Sequence, residues 1–218
     1  MAGKDRAGTE MPENSRFPGK TVIGLTGGVG SGKSLILDML RDRYGALVLQ
    51  ADRVCNTLIE NRGPAADAVI GLLGNGITDA EGLIDKKAMA AVIFSDPSLR
   101  LGVNRILHPA TFDAVVKMIE EAHEELIIYE AALPAEARFN EICSRVLYVY
   151  APRKIRAERL EKSRGYSREK SLAIMRSQLS EKQFRELADA AVDNGGSTEK
   201  TLASLDRIMK RWGIRRKA

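Results

Sequence analysis

The segment that most narrows what this chain can become is Gly27-Gly-Val-Gly-Ser-Gly-Lys-Ser34. It fits the pattern G-x-x-x-x-G-K-[ST] in the setting that gives the pattern meaning, with the apolar run Val22 to Leu25 before it and a helical pattern opening near Lys33. Glycines let the backbone turn tightly and aim successive N–H groups inward, which makes an anion nest at the positive end of a helix. Lys33 can then reach the β and γ phosphates of a nucleotide, and Ser34 can ligate Mg²⁺. The phosphate-binding set read from this P-loop is Gly28, Val29, Gly30, Ser31, Gly32, Lys33, Ser34 and Leu35. A glycine-rich turn without a ligand is the plain alternative.

From Thr21 onward, short apolar runs alternate with amphipathic stretches. Strands are expected at Val22 to Leu25, Ala46 to Leu49, Leu126 to Tyr129, Val146 to Tyr150 and Ala190 to Val192, and helices open near Lys33 and Asp52. That alternation predicts an α/β fold whose parallel sheet is covered on both faces. Pro64 to His123 holds no clear strand and reads as a helical insertion over about 63–123, with turns at Gly74 to Gly76 and Asp79 to Gly82. A further helical stretch over about 152–186 carries an N-cap at Ser167 and a capping box from Ser180 to Gln183. The last helix, Ser197 to Trp212, puts Leu202, Leu205, Ile208 and Met209 on one face. With 218 residues and 44% hydrophobic content, one domain over 20–218 can bury its core, made of about 20–62, 124–151 and 187–218. Residues 1–19 are polar, contain Pro12, Pro18 and Gly19, and read as a disordered leader or an added remnant.

Composition excludes several classes. No apolar run approaches the roughly 20 residues that cross a bilayer, so a cytoplasmic protein without membrane partners is expected. Cys55 and Cys143 lie far apart with no metal-ligand spacing, which suggests two reduced thiols. The net charge of +5 is concentrated between Arg153 and Arg185, where eleven Lys and Arg face four Glu. A basic segment of that kind in a phosphate-handling protein serves a small polyanion more simply than a nucleic acid. No Asn-Lys-x-Asp guanine-reading motif occurs, and Asp79-Ala-Glu-Gly82 sits in a turn between helices and not after a strand, so a GTPase is disfavoured.

The remaining candidates come from the ends of strands. Asp52 follows the second strand, where ligands bind in open α/β sheets, and can orient a hydroxyl nucleophile and accept its proton; it can equally be only the N-cap of its helix. Glu130 ends the third apolar run as the acidic residue after a Walker B strand would, so it is a candidate Mg²⁺ ligand through water, or an ordinary strand end. In the basic segment, one or two of Arg153, Arg156, Arg159 and Arg164 can close over a γ phosphate, while most charges on such a helix are merely solvated. His108-Pro109 interrupts a long helical pattern and predicts a kinked or restarted helix, with His108 structural or ligand-facing.

Taken in order, these segments resemble the dephospho-CoA kinase family. The carrying residues are Ile23 to Ser34, Ala51-Asp52, Gly82 to Asp85, Val92 to Pro97, Ile106 to Pro109, Arg159-Leu160, Arg164-Gly165, Arg176-Ser-Gln178, Ala188-Asp189 and Asp193-Asn-Gly195. The resemblance spans about Thr21 to Trp212. It implies a three-layer P-loop kinase fold with a parallel sheet, a helical substrate domain and a helical lid. It also implies transfer of the ATP γ phosphate to the ribose 3′-hydroxyl of dephospho-CoA, assisted by Mg²⁺. Catalytic roles then fall to Asp52, Lys33 and Arg159, and substrate contacts to Asp52, His108, Glu136 and Arg164. Two departures stand out: Gln50-Ala51-Asp52 replaces the family's Asp-Ala-Asp, and Leu133-Pro-Ala-Glu136 replaces its Leu-Leu-Phe-Glu. A different small-molecule or nucleoside monophosphate kinase is the near alternative. A nucleic-acid-associated P-loop ATPase is the distant one, supported only by the net charge and the basic residues Arg211, Arg215, Arg216 and Lys217. A monomer is the default assembly.

Overall fold

A computed structural model describes residues 16–217 of the chain. Five strands form one parallel sheet in the order β2-β3-β1-β4-β5, where β1 is Thr21–Thr26, β2 Leu47–Gln50, β3 Leu126–Glu130, β4 Arg145–Tyr150 and β5 Ala190–Asp193. Strand β1 is central: Ile23 pairs with Ile128 of β3 on one side, and Leu25 pairs with Leu147 of β4 on the other. Every residue of β1 after Thr21 is buried, as is all of β3, which is why both read as unbroken apolar runs and not as alternation. Helix α1, Lys33–Tyr44, and helix α10, Thr198–Arg211, pack on this sheet through Ile36, Leu40, Leu205 and Met209, all fully buried with Ile23, Leu25 and Leu147. Ser197 caps α10 by accepting from the Lys200 amide.

The chain divides into two compact units, one running up to Val48 and again from Ala122, the other Leu49–Glu121. The second unit contains α2 (Ala51–Glu60), α3 (Pro64–Leu73), a 3-10 turn at Asn75–Ile77, α4 (Lys86–Ser95) and α5 (Pro97–Glu121). Its own core gathers Ile59, Val69, Ile77, Ile84, Met89, Val103 and Leu107. The insertion expected from residue 63 thus begins earlier, because α2 buries Ile59 among these residues. Asp85 caps α4 by accepting from the amides of Lys87 and Ala88. Of the two outcomes expected at His108-Pro109, a kinked or a restarted helix, the restart does not occur: α5 is one helix with Pro109 inside it. Val103, Leu107, Phe112, Val115 and Ile119 are buried along its length, and that packing outweighs the one hydrogen bond a proline removes.

In the first unit, α6 (Phe139–Ile142) follows a turn at Pro134 to Arg138, and Phe139 lies against Tyr129 with ring centroids 5.3 Å apart. The basic stretch forms α7 (Arg153–Arg164), α8 (Arg168–Arg176) and α9 (Glu181–Leu187). Gly165, with φ of 63°, ends α7, Ser167 caps α8, and the Ser180–Gln183 capping box opens α9 as expected. Residues 1–15 of the expected leader lie outside the described residues. Its remainder forms a turn in which Phe17 is buried.

Candidate active site

The loop from Gly27 to Gly32 joins β1 to α1, so its amides converge on the N-terminal end of a 12-residue helix. Gly30 and Gly32 have φ of 77° and 84°, left-handed values that L side chains resist, and these turn the backbone into the nest. Ser31 donates its amide to the Gly28 carbonyl at 3.1 Å, closing the turn. The Lys33 ammonium returns over the loop to donate to the Gly27 carbonyl at 2.9 Å and lies 3.7 Å from a carboxylate oxygen of Glu130. Glu130, at the end of β3, is buried, so this ion pair is shielded from water. Ser34 and Leu35 are exposed on the first turn of α1.

Four side chains from distant parts of the unit grip the loop. Arg156 donates from Nε to the Val29 carbonyl at 2.8 Å and from Nη2 to Oε1 of Gln178 at 3.3 Å. Gln178 Oε1 also accepts from the Val29 amide at 2.9 Å. Arg159 donates to the carbonyls of Ser31 at 3.2 Å and Asn194 at 2.7 Å. Asn194, just past the end of β5 and 2% exposed, donates from Nδ2 to the Ser31 carbonyl at 2.8 Å. The expectation of Arg159 closing over a γ phosphate therefore meets a guanidinium already committed to main-chain carbonyls. A trans peptide directs its C=O and N–H oppositely, and the carbonyl of Ser31 belongs to the same peptide as the Gly32 amide. Arg159 and Asn194 thus hold that peptide on the side facing away from the Gly32 N–H.

The other candidates are more dispersed. Arg164 is exposed at the end of α7, its guanidinium 5.9 Å from the centroid of Tyr166. Glu136 is exposed in the turn before α6. In the second unit, Asp52 is exposed at the second position of α2; the N-cap is Gln50, so Asp52 is not the cap. His108 is half-buried in α5. Gln178 and Asn194 had no role assigned from sequence, although Arg176-Ser-Gln178 and Asp193-Asn-Gly195 are among the segments singled out there. Which side chain of a short polar motif turns toward the loop is decided by where its helix or strand ends in space.

The model of the dephospho-CoA kinase family matches residues 21–200, from the first strand into the last helix. The chain belongs to the dephospho-CoA kinase family. A dephospho-CoA kinase from Frankia casuarinae is 34% identical over 197 residues, covering 90% of this chain and 85% of the relative. Among solved structures, that of TT1252 from Thermus thermophilus superposes with a TM-score of 0.74 at 28% identity, covering 88% of this chain and 97% of the other. The dephospho-CoA kinase from Campylobacter jejuni shares the fold, with a TM-score of 0.65 at 15% identity over 88% of this chain and 96% of its own.

For a dephospho-CoA kinase the donor set around the nest matters as much as the nest. Among the described residues no three His, Cys, Asp or Glu side chains form a metal-holding group. Mg²⁺ is commonly held by one or two protein oxygens together with substrate phosphates, so the exposed Ser34 hydroxyl and the Glu130 carboxylate fit such a role. Tyr129, beside Glu130 in β3, is pushed up to about 12 chiefly by burial and stays neutral. Burial also raises the Cys143 thiol, which leaves it inert. No helix among the described residues is long and apolar enough to cross a membrane.

Proposed function

We propose that this kinase transfers the γ-phosphoryl group of ATP to the ribose 3′-hydroxyl of dephospho-CoA, giving coenzyme A and ADP. One observation carries the reading: a complete P-loop, with Lys33 poised over it, lies inside a family match that runs through both compact units. Loop amides and Lys33 hold the phosphates, and Asp52 orients the attacking hydroxyl and accepts its proton. Mg²⁺, when bound through Ser34 and through water at Glu130, supplies charge neutralisation on the phosphate oxygens. As ATP enters, Lys33 exchanges the Gly27 carbonyl for phosphate oxygens and keeps its pairing with Glu130. Because phosphoryl transfer passes through a loose transition state, alignment and charge neutralisation contribute more than base strength. Arg159 contributes through the loop it braces. His108, Glu136 and Arg164 are assigned to dephospho-CoA, with the helical insertion as its binding region and α7 to α9 as the lid. A cytoplasmic setting, where ATP is supplied, goes with this reading.

The test is ATP-dependent product formation by the purified protein with dephospho-CoA, beside AMP, shikimate and pantothenate. Phosphorylation of dephospho-CoA above the other three is expected, and preference for any of them would sink the assignment. Nucleotide hydrolysis stimulated by DNA or RNA, with steep salt dependence, would favour a nucleic-acid-associated ATPase instead.

A further inference from the structure

Val29 is at the tip of the phosphate loop, and both of its peptides are held from one side of the molecule. Its N–H donates to Gln178 Oε1 at 2.9 Å, and its carbonyl accepts from Arg156 Nε at 2.8 Å. Arg156 and Gln178 are themselves joined at 3.3 Å, so the three residues close a ring of hydrogen bonds. Two donors, the Val29 amide and the Arg156 guanidinium, converge on the Gln178 oxygen, which fixes the orientation of that carboxamide.

The ring has a directional effect. The Val29 carbonyl and the Gly30 amide share one trans peptide, so holding the carbonyl toward Arg156 turns the Gly30 N–H the opposite way. The peptide before it behaves alike: the Val29 N–H points to Gln178, while the Gly28 carbonyl faces the Ser31 amide at 3.1 Å. Space reinforces this. A Cβ on Gly30 would come within 2.7 Å of the Arg156 main-chain carbonyl, and one on Gly28 would run into the Arg156 guanidinium. Arg156, in the first turn of α7, therefore seats the loop by contact as well as by a hydrogen bond, and Gln178, two residues past α8, holds it by a hydrogen bond.

We propose that Gln178 and Arg156 are a pair of positioning residues for phosphoryl transfer, fixing both peptides of Val29 so that the Gly30 amide is aimed into the phosphate nest. The proposal rests on the kinase reading above and adds two residues that the P-loop motif does not contain. Neither touches the transferred group; both act through the loop.

The experiment compares the unmodified protein with Gln178→Ala, Gln178→Glu, Arg156→Ala and the double variant R156A/Q178A. Readouts are kcat and KM for ATP and dephospho-CoA, and amide hydrogen exchange of the peptide spanning Val29. Gln178→Ala should lower kcat about 10- to 100-fold, the range expected when reacting groups are misplaced by a fraction of an ångström to an ångström, with KM for dephospho-CoA within about twofold. Exchange at the Val29 peptide should quicken while the sheet peptides stay protected. Gln178→Glu keeps an acceptor oxygen at the same reach, so it should retain the slow exchange and stay well ahead of Gln178→Ala in turnover; this arm decides the matter if the alanine variant fails to fold. Because the pair acts as a unit, R156A/Q178A should lose no more than about the worse single variant. Turnover of Gln178→Ala within about threefold of the unmodified protein, a Glu variant with fast exchange, or multiplicative losses in the double variant would overturn the proposal. The exchange readout needs no acceptor substrate, so failure of the unmodified protein to phosphorylate dephospho-CoA would refute the functional reading without deciding this one.

Discussion

Gly32 shows how tightly single residues are specified around the nest. Its φ is 84°, and a Cβ there would collide with the Asn194 carboxamide, which is buried and already bonded to the Ser31 carbonyl. Gly32→Ala therefore combines backbone strain of about 1–3 kcal/mol with displacement of a buried polar group. ADP binding measured by calorimetry is expected to weaken at least tenfold (~1.4 kcal/mol), with a lower melting temperature. Asp52 presents the opposite case. It is exposed, it caps nothing, and it fills no core position, so Asp52→Asn should melt within a few degrees of the unmodified protein and bind ATP. Its turnover should drop by about two to four orders of magnitude, the usual range for a lost general base. Near-normal turnover would leave Asp52 without a chemical role. The glycine and lysine of the loop were legible from the motif, because the motif is itself the list of residues a phosphate nest needs. Asn194 and Gln178 were not, since a polar side chain acquires its partner only when elements remote in sequence meet.

At the level of elements, boundaries follow local chemistry closely. Ser167, Ser180 and Ser197 each precede a helix and each accepts a backbone amide of its first turn. Ser197 opens α10, which packs on the main core through Leu205 and Met209, so its cap contributes to global stability. Ser197→Ala is expected to cost about 1 kcal/mol, read as a shift in the urea midpoint without a change in slope. The strands were equally readable, because both faces of the sheet are covered and each strand appears as a short apolar run. Helix α5 was not. His108-Pro109 carries a strong local signal for interruption, yet buried side chains on either side of it hold one helix together. Likewise α2 follows β2 directly and looks like part of the alternating core, but the burial of Ile59 among Val69 and Ile77 assigns it to the helical unit.

Across the larger unit, Asp206 links α1, α10 and the C-terminal segment. It accepts from Tyr44 Oη at 2.5 Å, pairs with Arg216, and lies 3.7 Å from Arg43. Burial works to raise its pKa, but the hydrogen bonds from Tyr44 and Arg216 and the charges of Arg216 and Arg43 hold it below the usual carboxylate range. A depressed carboxylate stabilises the fold above its unfolded pKa, near ~3.9, and that contribution is lost as pH falls through the folded value. Burial and the bond to Asp206 push Tyr44 up to about 12, so its protonated form favours the fold until pH rises through that value. Asp206→Asn should therefore melt lower than the unmodified protein at pH 7, with the gap narrowing toward pH 3; an unchanged gap would remove Asp206 from the acid limb. Sequence alone determined the phosphate nest, the alternating α/β architecture and the family, because each depends on residue types at short, ordered spacings. Only the tertiary structure decided which side chains steer the nest, since a loop of glycines has no stiffness of its own. Its amides point where Arg156, Arg159, Gln178 and Asn194 hold its carbonyls and N–H groups, and those four residues, far from the loop in sequence, reach it only in the folded chain.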